Sequence, residues 1–404
     1  MRNPTNKVLL LSLATLCLLF GCSHQNFPLD RPQPTAKLEI GKPISISLLP
    51  KQDVILEINT NTGPIYELAW LIPDEKSIAI SIIDPNGFEI VSEREFQANA
   101  YQFVPQKNGK HLVKITLENS DGPPVYLSIQ LDNNYKLPDN IKVTHTENIA
   151  GYKVQLLESK ADDISRESFA TVSKDGVLKY FLHKTDYAFF PFDSEEEDGR
   201  LAPSARLYRN TPDKTGDGTP DTIINIFSMG AHCCSEYRFI ELGDIVWQRK
   251  NLYTGNAGLS ASRVNRGGGL IYATNDDNFA YWLTSFAGSP MPDVSLSFRN
   301  GQLLPDIEAM RKPPPNLKEI DSEAREARSK IDRSPYLGAE NPNTQPFDDA
   351  FWGRMLDLIY SGHTNIAWQY FDIAWPPEKS GKDLFRNDFV EQLNKSDYYK
   401  SLKQ

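Results

Sequence analysis

Residues 213–227 have the sequence DKTGDGTPDTIINIF, in which a loop rich in Asp and Gly runs directly into an apolar strand. Side-chain oxygens recur along the loop at Asp213, Thr215, Asp217 and Asp221. The two intervening glycines permit the tight turn that would bring these oxygens together. A hard cation such as Ca²⁺ takes about six to eight oxygens in a flexible loop, and Thr219 would supply a backbone carbonyl. The spacing therefore predicts a Ca²⁺ loop, and the alternative is an Asp/Gly turn without metal.

The strand that follows this loop belongs to a long β-like region. Residues 142–305 contain further apolar runs of strand length, such as Tyr237–Leu242, separated by turn signals. Residues 38–135 show a stricter alternation of apolar and polar side chains, for example over 78–82, which is typical of half-buried antiparallel strands. The sequence therefore predicts a mainly β chain, with an N-terminal β-sandwich over 38–135 and a second β domain over 142–305.

The character of the chain changes at Pro313-Pro314-Pro315, which interrupt any regular structure. Residues 316–404 carry apolar side chains at helical spacing in several segments. Thr364 is positioned to N-cap one of these segments, and Pro376-Pro377 end it. We therefore expect a small C-terminal α-helical region that folds back on the second β domain.

Several motifs resemble those of known bacterial families. Residues 38–132 are similar to the pre-peptidase C-terminal-like domain, a jelly-roll module, in their IIDPNG turn (82–87) and closing VYLSIQL (125–131). The Asp/Gly loop resembles that of VCBS and FG-GAP β-propeller repeats, although Asp or Asn is commoner than Thr215. Residues 205–402 resemble uncharacterised exported proteins with a GDGxPD…GGAHCC signature, one glycine of which is Met229 here. These resemblances imply a non-catalytic accessory module and a propeller-like second domain, but no specific activity.

The first 22 residues have the layout of an export signal. A short basic start is followed by an apolar run of 13 residues, Val8–Phe20, which is well short of the roughly 20 needed to span a bilayer. The run ends in Leu19-Phe20-Gly21-Cys22, which resembles a bacterial lipobox and implies that residues 1–21 are removed and that Cys22 is acylated. The alternative is a plain signal peptide. Residues 22–37 are polar and contain three prolines, which predicts a flexible tether.

After Cys22, the chain contains only two cysteines, the adjacent Cys233 and Cys234. Thiol pairs usually oxidise outside the reducing cytosol, so we predict that these two form a disulfide. Two alternatives remain open: a redox-active pair, and a copper or zinc site that includes His232.

Composition and motifs narrow the function to two classes. A formal net charge of −10 is unfavourable for binding nucleic acid. The sequence lacks the Gly-x-Ser-x-Gly, His-Glu-x-x-His, phosphate-loop and dinucleotide-binding signatures, so no catalytic residue is assigned. We expect a lipid-anchored envelope protein, held in the outer membrane if the cell is Gram-negative because Ser23 follows Cys22. It would be either a non-enzymatic module that binds an envelope protein or glycan, or an envelope hydrolase with its site between the β domains or against the helical tail.

Replacing Cys22 by Ala tests the anchor. Because several acyl chains hold a protein stably on a membrane, the wild type should sediment with membranes, and Cys22→Ala should move to the soluble envelope fraction. Immunoblotting of the two fractions measures the shift. If the variant still sediments with membranes, the lipobox interpretation is wrong.

Overall fold

The computed structural model describes residues 32–50, 52–72, 78–95, 100–117, 123–160, 166–192, 196–197, 200–230, 234–249, 251–341 and 349–403. Strands account for 41% and helices for 22%, which confirms the prediction of a mainly β chain with its helices mostly near the C-terminus. Cys22 lies outside the described residues. Within the described part, no helix combines the length and apolar character needed to span a membrane.

The N-terminal unit is a sandwich of two antiparallel sheets with one short parallel edge strand. One sheet has the order β1-β3-β8-β5-β6 and the other has the order β2-β9-β4-β7. The strands are β1 (Ala36–Lys37), β2 (Ile44–Leu48), β3 (Asp53–Thr60), β4 (Tyr66–Leu71), β5 (Ile78–Ile83), β6 (Glu89–Glu95), β7 (Ala100–Phe103), β8 (Gly109–Leu117) and β9 (Val125–Asp132). Residues 36–37, which the sequence places in the tether, already pair with β3.

Alternation along the strands builds the core of the sandwich. Leu56 on β3, Ile80 on β5 and Ile115 on β8 face Leu127 and Ile129 on β9, and all five are 1% exposed or less. Full burial of one such side chain contributes about 1.5–3 kcal/mol. The predicted β-sandwich therefore has a dry interior made from the alternate residues of its strands.

The second β unit consists of three sheets. Their orders are β10-β11-β12-β13, β14-β17-β18-β19 with β20 also on β18, and β21-β22-β23-β24. Two short strands, β15 (Glu196–Glu197) and β16 (Arg200–Leu201), form a separate hairpin. The remaining strands are β10 (Lys142–Ile149), β11 (Tyr152–Lys160), β12 (Arg166–Lys174), β13 (Val177–Thr185), β14 (Ala188–Pro191), β17 (Asp221–Phe227), β18 (Ser235–Leu242), β19 (Val246–Gln248), β20 (Leu252–Gly255), β21 (Ser260–Val264), β22 (Leu270–Asn275), β23 (Asp293–Arg299) and β24 (Gln302–Pro305).

The sheet formed by β14, β17, β18, β19 and β20, here called the middle sheet, is covered on both faces. On β17, Ile224 and Ile226 pack against the β10–β13 sheet, whereas Ile223 faces the β21–β24 sheet. On β18, Ile240 and Phe239 point to these same two sides. Double burial explains why the strand after the Asp/Gly loop is apolar at consecutive positions rather than alternating. The described strands stack in layers and close no barrel, and a propeller-like relation among the three sheets stays a prediction.

The helices follow or flank these sheets. They are α1 (Pro203–Asn210), α2 (Ile307–Met310), α3 (Leu317–Lys330), α4 (Asp349–Tyr360), α5 (Thr364–Ala374), α6 (Lys382–Lys395) and α7 (Asp397–Leu402), together with a 3₁₀ turn at Phe286–Gly288. The N-cap of α5 is His363, without a side-chain cap bond, so the prediction that Thr364 caps this helix is wrong by one residue.

A buried carboxylate ties the helical region to the β21–β24 sheet. Asp276 follows β22 and is 3% exposed. Its Oδ2 accepts hydrogen bonds from the Tyr360 hydroxyl at 2.5 Å and from the Ser396 hydroxyl. Tyr360 ends α4, and Ser396 caps α7, where its Oγ accepts from the Tyr399 backbone N–H at 3.0 Å. One carboxylate therefore fixes two helix ends against the sheet. Its hydrogen bonds satisfy a polar group that would be costly to bury alone.

His183 lies at the junction of the two β units. Its ring stacks on Phe169 with centroids 4.6 Å apart, and its Nδ1 lies 3.2 Å from the Tyr135 hydroxyl. Burial lowers the pKa of His183 to about 4, because the charged imidazolium is poorly solvated there. The neutral ring is therefore the form that the junction stabilises.

This shift predicts acid sensitivity. A histidine whose pKa is lower in the folded state than in the unfolded state stabilises the fold at neutral pH, and that contribution is lost as the pH falls from about 6.5 towards 4. Urea unfolding at pH 7 and pH 5 should show a larger loss of stability for the wild type than for His183→Gln, whose side chain does not titrate. Equal losses in the two proteins would contradict this role for His183.

Candidate functional site

Asp213 organises the first half of the Asp/Gly loop. Its Oδ1 accepts the backbone N–H groups of Gly216 and Asp217 at 2.6 and 3.2 Å, and its Oδ2 accepts that of Gly218 at 2.8 Å. Gly216 has φ +81°, and a Cβ there would lie 2.9 Å from the backbone N of Gly269. A glycine is needed at 216 for both reasons, since the loop lies directly on the 267–269 turn.

Asp221 is at the inner end of the loop and is fully buried. Its Oδ2 accepts the backbone N–H groups of Lys214 and Thr215 at 3.0 and 3.1 Å, and the Thr215 hydroxyl at 3.1 Å. Its Oδ1 is buried without a hydrogen-bond partner. Burial raises the pKa of Asp221 to about 7, and the charge of Arg249 opposes that rise.

Lys214 lies beneath the loop rather than in solvent. The residue is 1% exposed, and its Nζ donates to the carbonyls of Thr211 and Pro212 at 3.2 and 3.3 Å. The ammonium also lies 4.2 Å from the centre of the Tyr208 ring. Burial lowers the pKa of Lys214 to about 8. A buried cation therefore supports the start of the loop from inside.

The Asp217 side chain is directed at Arg249, away from the partners of Asp213 and Asp221. Its Oδ1 accepts the backbone N–H of Thr219 at 2.9 Å, and its Oδ2 pairs with the Arg249 guanidinium. The same guanidinium pairs with Glu241 on β18. This pairing could not be predicted from the sequence, because Arg249 is 32 residues away from Asp217 along the chain.

The predicted cation ligands converge only in part. The Thr215 hydroxyl lies 3.1 Å from Asp221 Oδ2 and 3.5 Å from Asp213 Oδ1. Asp213 is also occupied by backbone N–H groups, and Asp217 is directed at Arg249. In the described parts of the chain, no group of three or more His, Cys, Asp or Glu side chains is arranged to hold a metal ion. The residues as placed do not fit Ca²⁺, which needs several oxygens around one point. Calcium binding stays a prediction from the sequence alone.

The cysteine pair lies at the end of β17, and only part of it is described. Cys234 is disulfide-bonded, and its backbone N–H donates to the Ser228 Oγ at 2.7 Å. Cys233 and His232 lie outside the described residues, so a bond between the two adjacent cysteines stays a prediction.

A groove in the helical region was not anticipated from the sequence. It has a volume of about 450 Å³ and lies between α6 and the segment over 337–341. Asp388 on α6 holds that segment, because its Oδ2 accepts the Tyr336 hydroxyl at 2.7 Å and the Ala339 backbone N–H at 2.9 Å. Gly381 precedes α6 with φ +90°, and a Cβ there would lie 2.4 Å from the Tyr336 carbonyl oxygen. The groove therefore has a fixed wall.

The lining of the groove combines one aromatic ring with carboxylates. It includes Trp282, Leu384, Glu340, Asp388, Glu391 and Lys395. Trp282 lies between Tyr281 and Leu283, which have φ of +62° and +56°. Left-handed backbone costs an ordinary residue about 1–2 kcal/mol. Two such residues on either side of Trp282 therefore show that its backbone is held in a strained conformation by its surroundings. Aromatic and polar groups around a concave surface are typical of ligand sites.

Comparisons with known proteins match only part of the chain. No family profile and no curated protein matches it. A solved pre-peptidase C-terminal domain of collagenase from Bacillus anthracis is 10% identical and covers 26% of this chain and 100% of its own, with a TM-score of 0.21. A periplasmic inhibitor of g-type lysozyme from Aeromonas hydrophila is 10% identical over 24% of this chain and 96% of its own, with a TM-score of 0.20. The inhibitor from Salmonella Typhimurium is 12% identical over 24% and 99%, with a TM-score of 0.18.

Met229 occupies a backbone position that suits glycine. It has φ +62° and is 54% exposed, and its Sδ lies 3.7 Å from the Arg166 guanidinium. Met229→Gly should therefore be more stable than Met229→Ala by about 1 kcal/mol, because Ala keeps the left-handed cost and Gly does not. Urea unfolding of the two variants measures the difference. A glycine variant no more stable than the alanine variant would contradict this account.

Proposed function

We propose that this chain is a lipid-anchored envelope protein that binds a protein or glycan without catalysing a reaction, and that the groove along α6 is its binding site. The groove supports the proposal because it joins a pre-formed concave surface with groups of two kinds. Trp282 offers an aromatic ring for stacking, and Glu340 and Glu391 offer hydrogen-bond acceptors.

The contacts of the groove favour binding over catalysis. The Oδ2 of Asp388 holds the groove wall in place through two hydrogen bonds. Lys395 donates to the Gln392 side chain at 3.1 Å, and the Gln392 amide in turn pairs with the backbone of Asn278. These side chains are committed to fixing the shape of the groove, as is expected of a pre-organised binding surface.

The alternative is an envelope hydrolase with its site between the β units or against the helical region, where Asp388 lies. The junction between the β units is tightly closed where it is described. Gln106 from the N-terminal unit pairs with both backbone groups of Val246, and the Val246 N–H donates to its Oε1 at 2.8 Å. The cavity beside them measures about 10 Å³, which is at most room for a single water molecule. The junction therefore supports a hydrolase site less well than the groove supports a binding site.

The anchor would keep the groove near a membrane. The segment from Cys22 to the pairing of Thr35 with β3 contains 14 residues, which span at most about 45 Å when fully extended. A lipid on Cys22 would therefore confine binding to ligands within that distance plus the length of the protein. An outer-membrane position in a Gram-negative cell follows from the same proposal.

Site-specific photocrosslinking in whole cells tests this function. A photoreactive amino acid is placed at Glu391 or Leu384 in the groove, and at Glu326 on α3 as the matched exposed control. Leu384 is 42% exposed, and the Glu326 side chain is 69% exposed. We expect an adduct of defined mass from both groove positions and none from Glu326, and Glu391→Lys should weaken the Leu384 adduct at least several-fold.

A different pair of results would contradict the binding proposal. If the groove positions give no adduct, and purified protein hydrolyses an envelope substrate in a manner that is lost in Asp388→Asn, the binding proposal fails and the hydrolase alternative takes its place.

A further inference from the structure

The Arg249 side chain lies at the centre of the carboxylates around the Asp/Gly loop. It is 7% exposed, and its guanidinium pairs with Asp217 from the loop and with Glu241 from β18. Its backbone N–H also donates to the Phe239 carbonyl at 2.8 Å, which fixes the residue at the end of β19. One buried cation therefore bridges the loop and the middle sheet.

Aromatic rings fix the position of this cation. The guanidinium carbon lies 4.8 Å from the ring centre of Trp247 and 5.6 Å from that of Phe298 on β23. Guanidinium groups favour such faces because the ring quadrupole attracts positive charge, and a planar cation stacks well there. Arg249 therefore contacts the loop, the middle sheet and the β21–β24 sheet at once.

The loop needs positive charge, and the chain supplies it on two sides: Lys214 lies beneath the start of the loop near Asp213 and Asp221, and Arg249 pairs with Asp217 and Glu241. Asp213, Asp217, Asp221 and Glu241 bring four carboxylates into this region. Burying carboxylates so close together is costly unless a cation lies among them. In a calcium loop the metal would fill that need. Here the Asp217 carboxylate, which is central to the predicted ligand set, is directed at Arg249 instead.

We propose that Arg249 is the resident cation of the 213–221 loop, so that this loop folds around a guanidinium of the chain itself and not around Ca²⁺. This inference is independent of the function proposed for the groove. It assigns a role to a residue that lies outside the motif, and it explains how an Asp/Gly loop of calcium-binding type holds its shape with its central carboxylate, Asp217, directed at a guanidinium.

Thermal unfolding of the full exported chain tests the proposal in two arms. In the first arm, the wild type is measured in 1 mM CaCl₂ and in EGTA, and we expect the same midpoint within about 1 °C. In the second arm, Arg249→Ala is compared with Arg266→Ala, whose side chain is 97% exposed. Arg249→Ala should lower the midpoint by about 5 °C or more in EGTA, because it leaves buried carboxylates unpaired, and Arg266→Ala should change it little.

Two further variants keep the test decisive if Arg249→Ala does not fold. Arg249→Lys retains the charge but not the planar guanidinium. Its thermal midpoint should therefore lie between those of the wild type and Arg249→Ala or, if Arg249→Ala is unfolded, below that of the wild type. Asp217→Asn should lower the midpoint equally in calcium and in EGTA. The proposal is overturned if calcium raises the wild-type midpoint and Asp217→Asn abolishes that rise, or if Arg249→Lys matches the wild type.

Discussion

Burial of the middle sheet on both faces is the constraint on which the second β unit depends. Ile223 and Ile224, which are successive residues of β17, are buried on opposite faces of the sheet. A sheet that is apolar on both faces is stable only when a further layer covers each one. The β10–β13 sheet covers one face, and the β21–β24 sheet covers the other, with the helices in the same apolar cluster as the latter. The order of the layers therefore follows from the requirement to cover β17 and β18.

The same constraint places the Asp/Gly loop and the groove. The loop enters β17 directly, so its inner end is drawn under the neighbouring sheet and Asp221 is buried. The helices cover the outer sheet with a cluster of aromatic rings, in which Trp282 packs edge-on against Trp352 with ring centres 5.2 Å apart. One side of Trp282 faces this cluster, and the ring also lines the groove.

The sequence was sufficient for the features that depend on neighbours along the chain. Alternation predicted strands such as β3, β5 and β8, and helical spacing predicted α4 and α6, because each of these patterns reflects one element facing one core. It was insufficient where distant segments meet. Arg249 gave no local signal of its contact with Asp217, and the groove depends on a loop, a helix and the strained turn around Trp282. Thr364 was misassigned as the N-cap of α5 because the N-cap is one residue earlier, at His363.

The contacts of Asp276 bear on when this protein reaches its final structure. Its two side-chain partners, Tyr360 and Ser396, lie 84 and 120 residues downstream. Since chains are made from the N-terminus, the β strands are synthesised well before α4 and α7, which carry these partners. Asp276 therefore has neither partner until the C-terminal helices exist, and the packing of this edge of the β21–β24 sheet is among the last steps of folding.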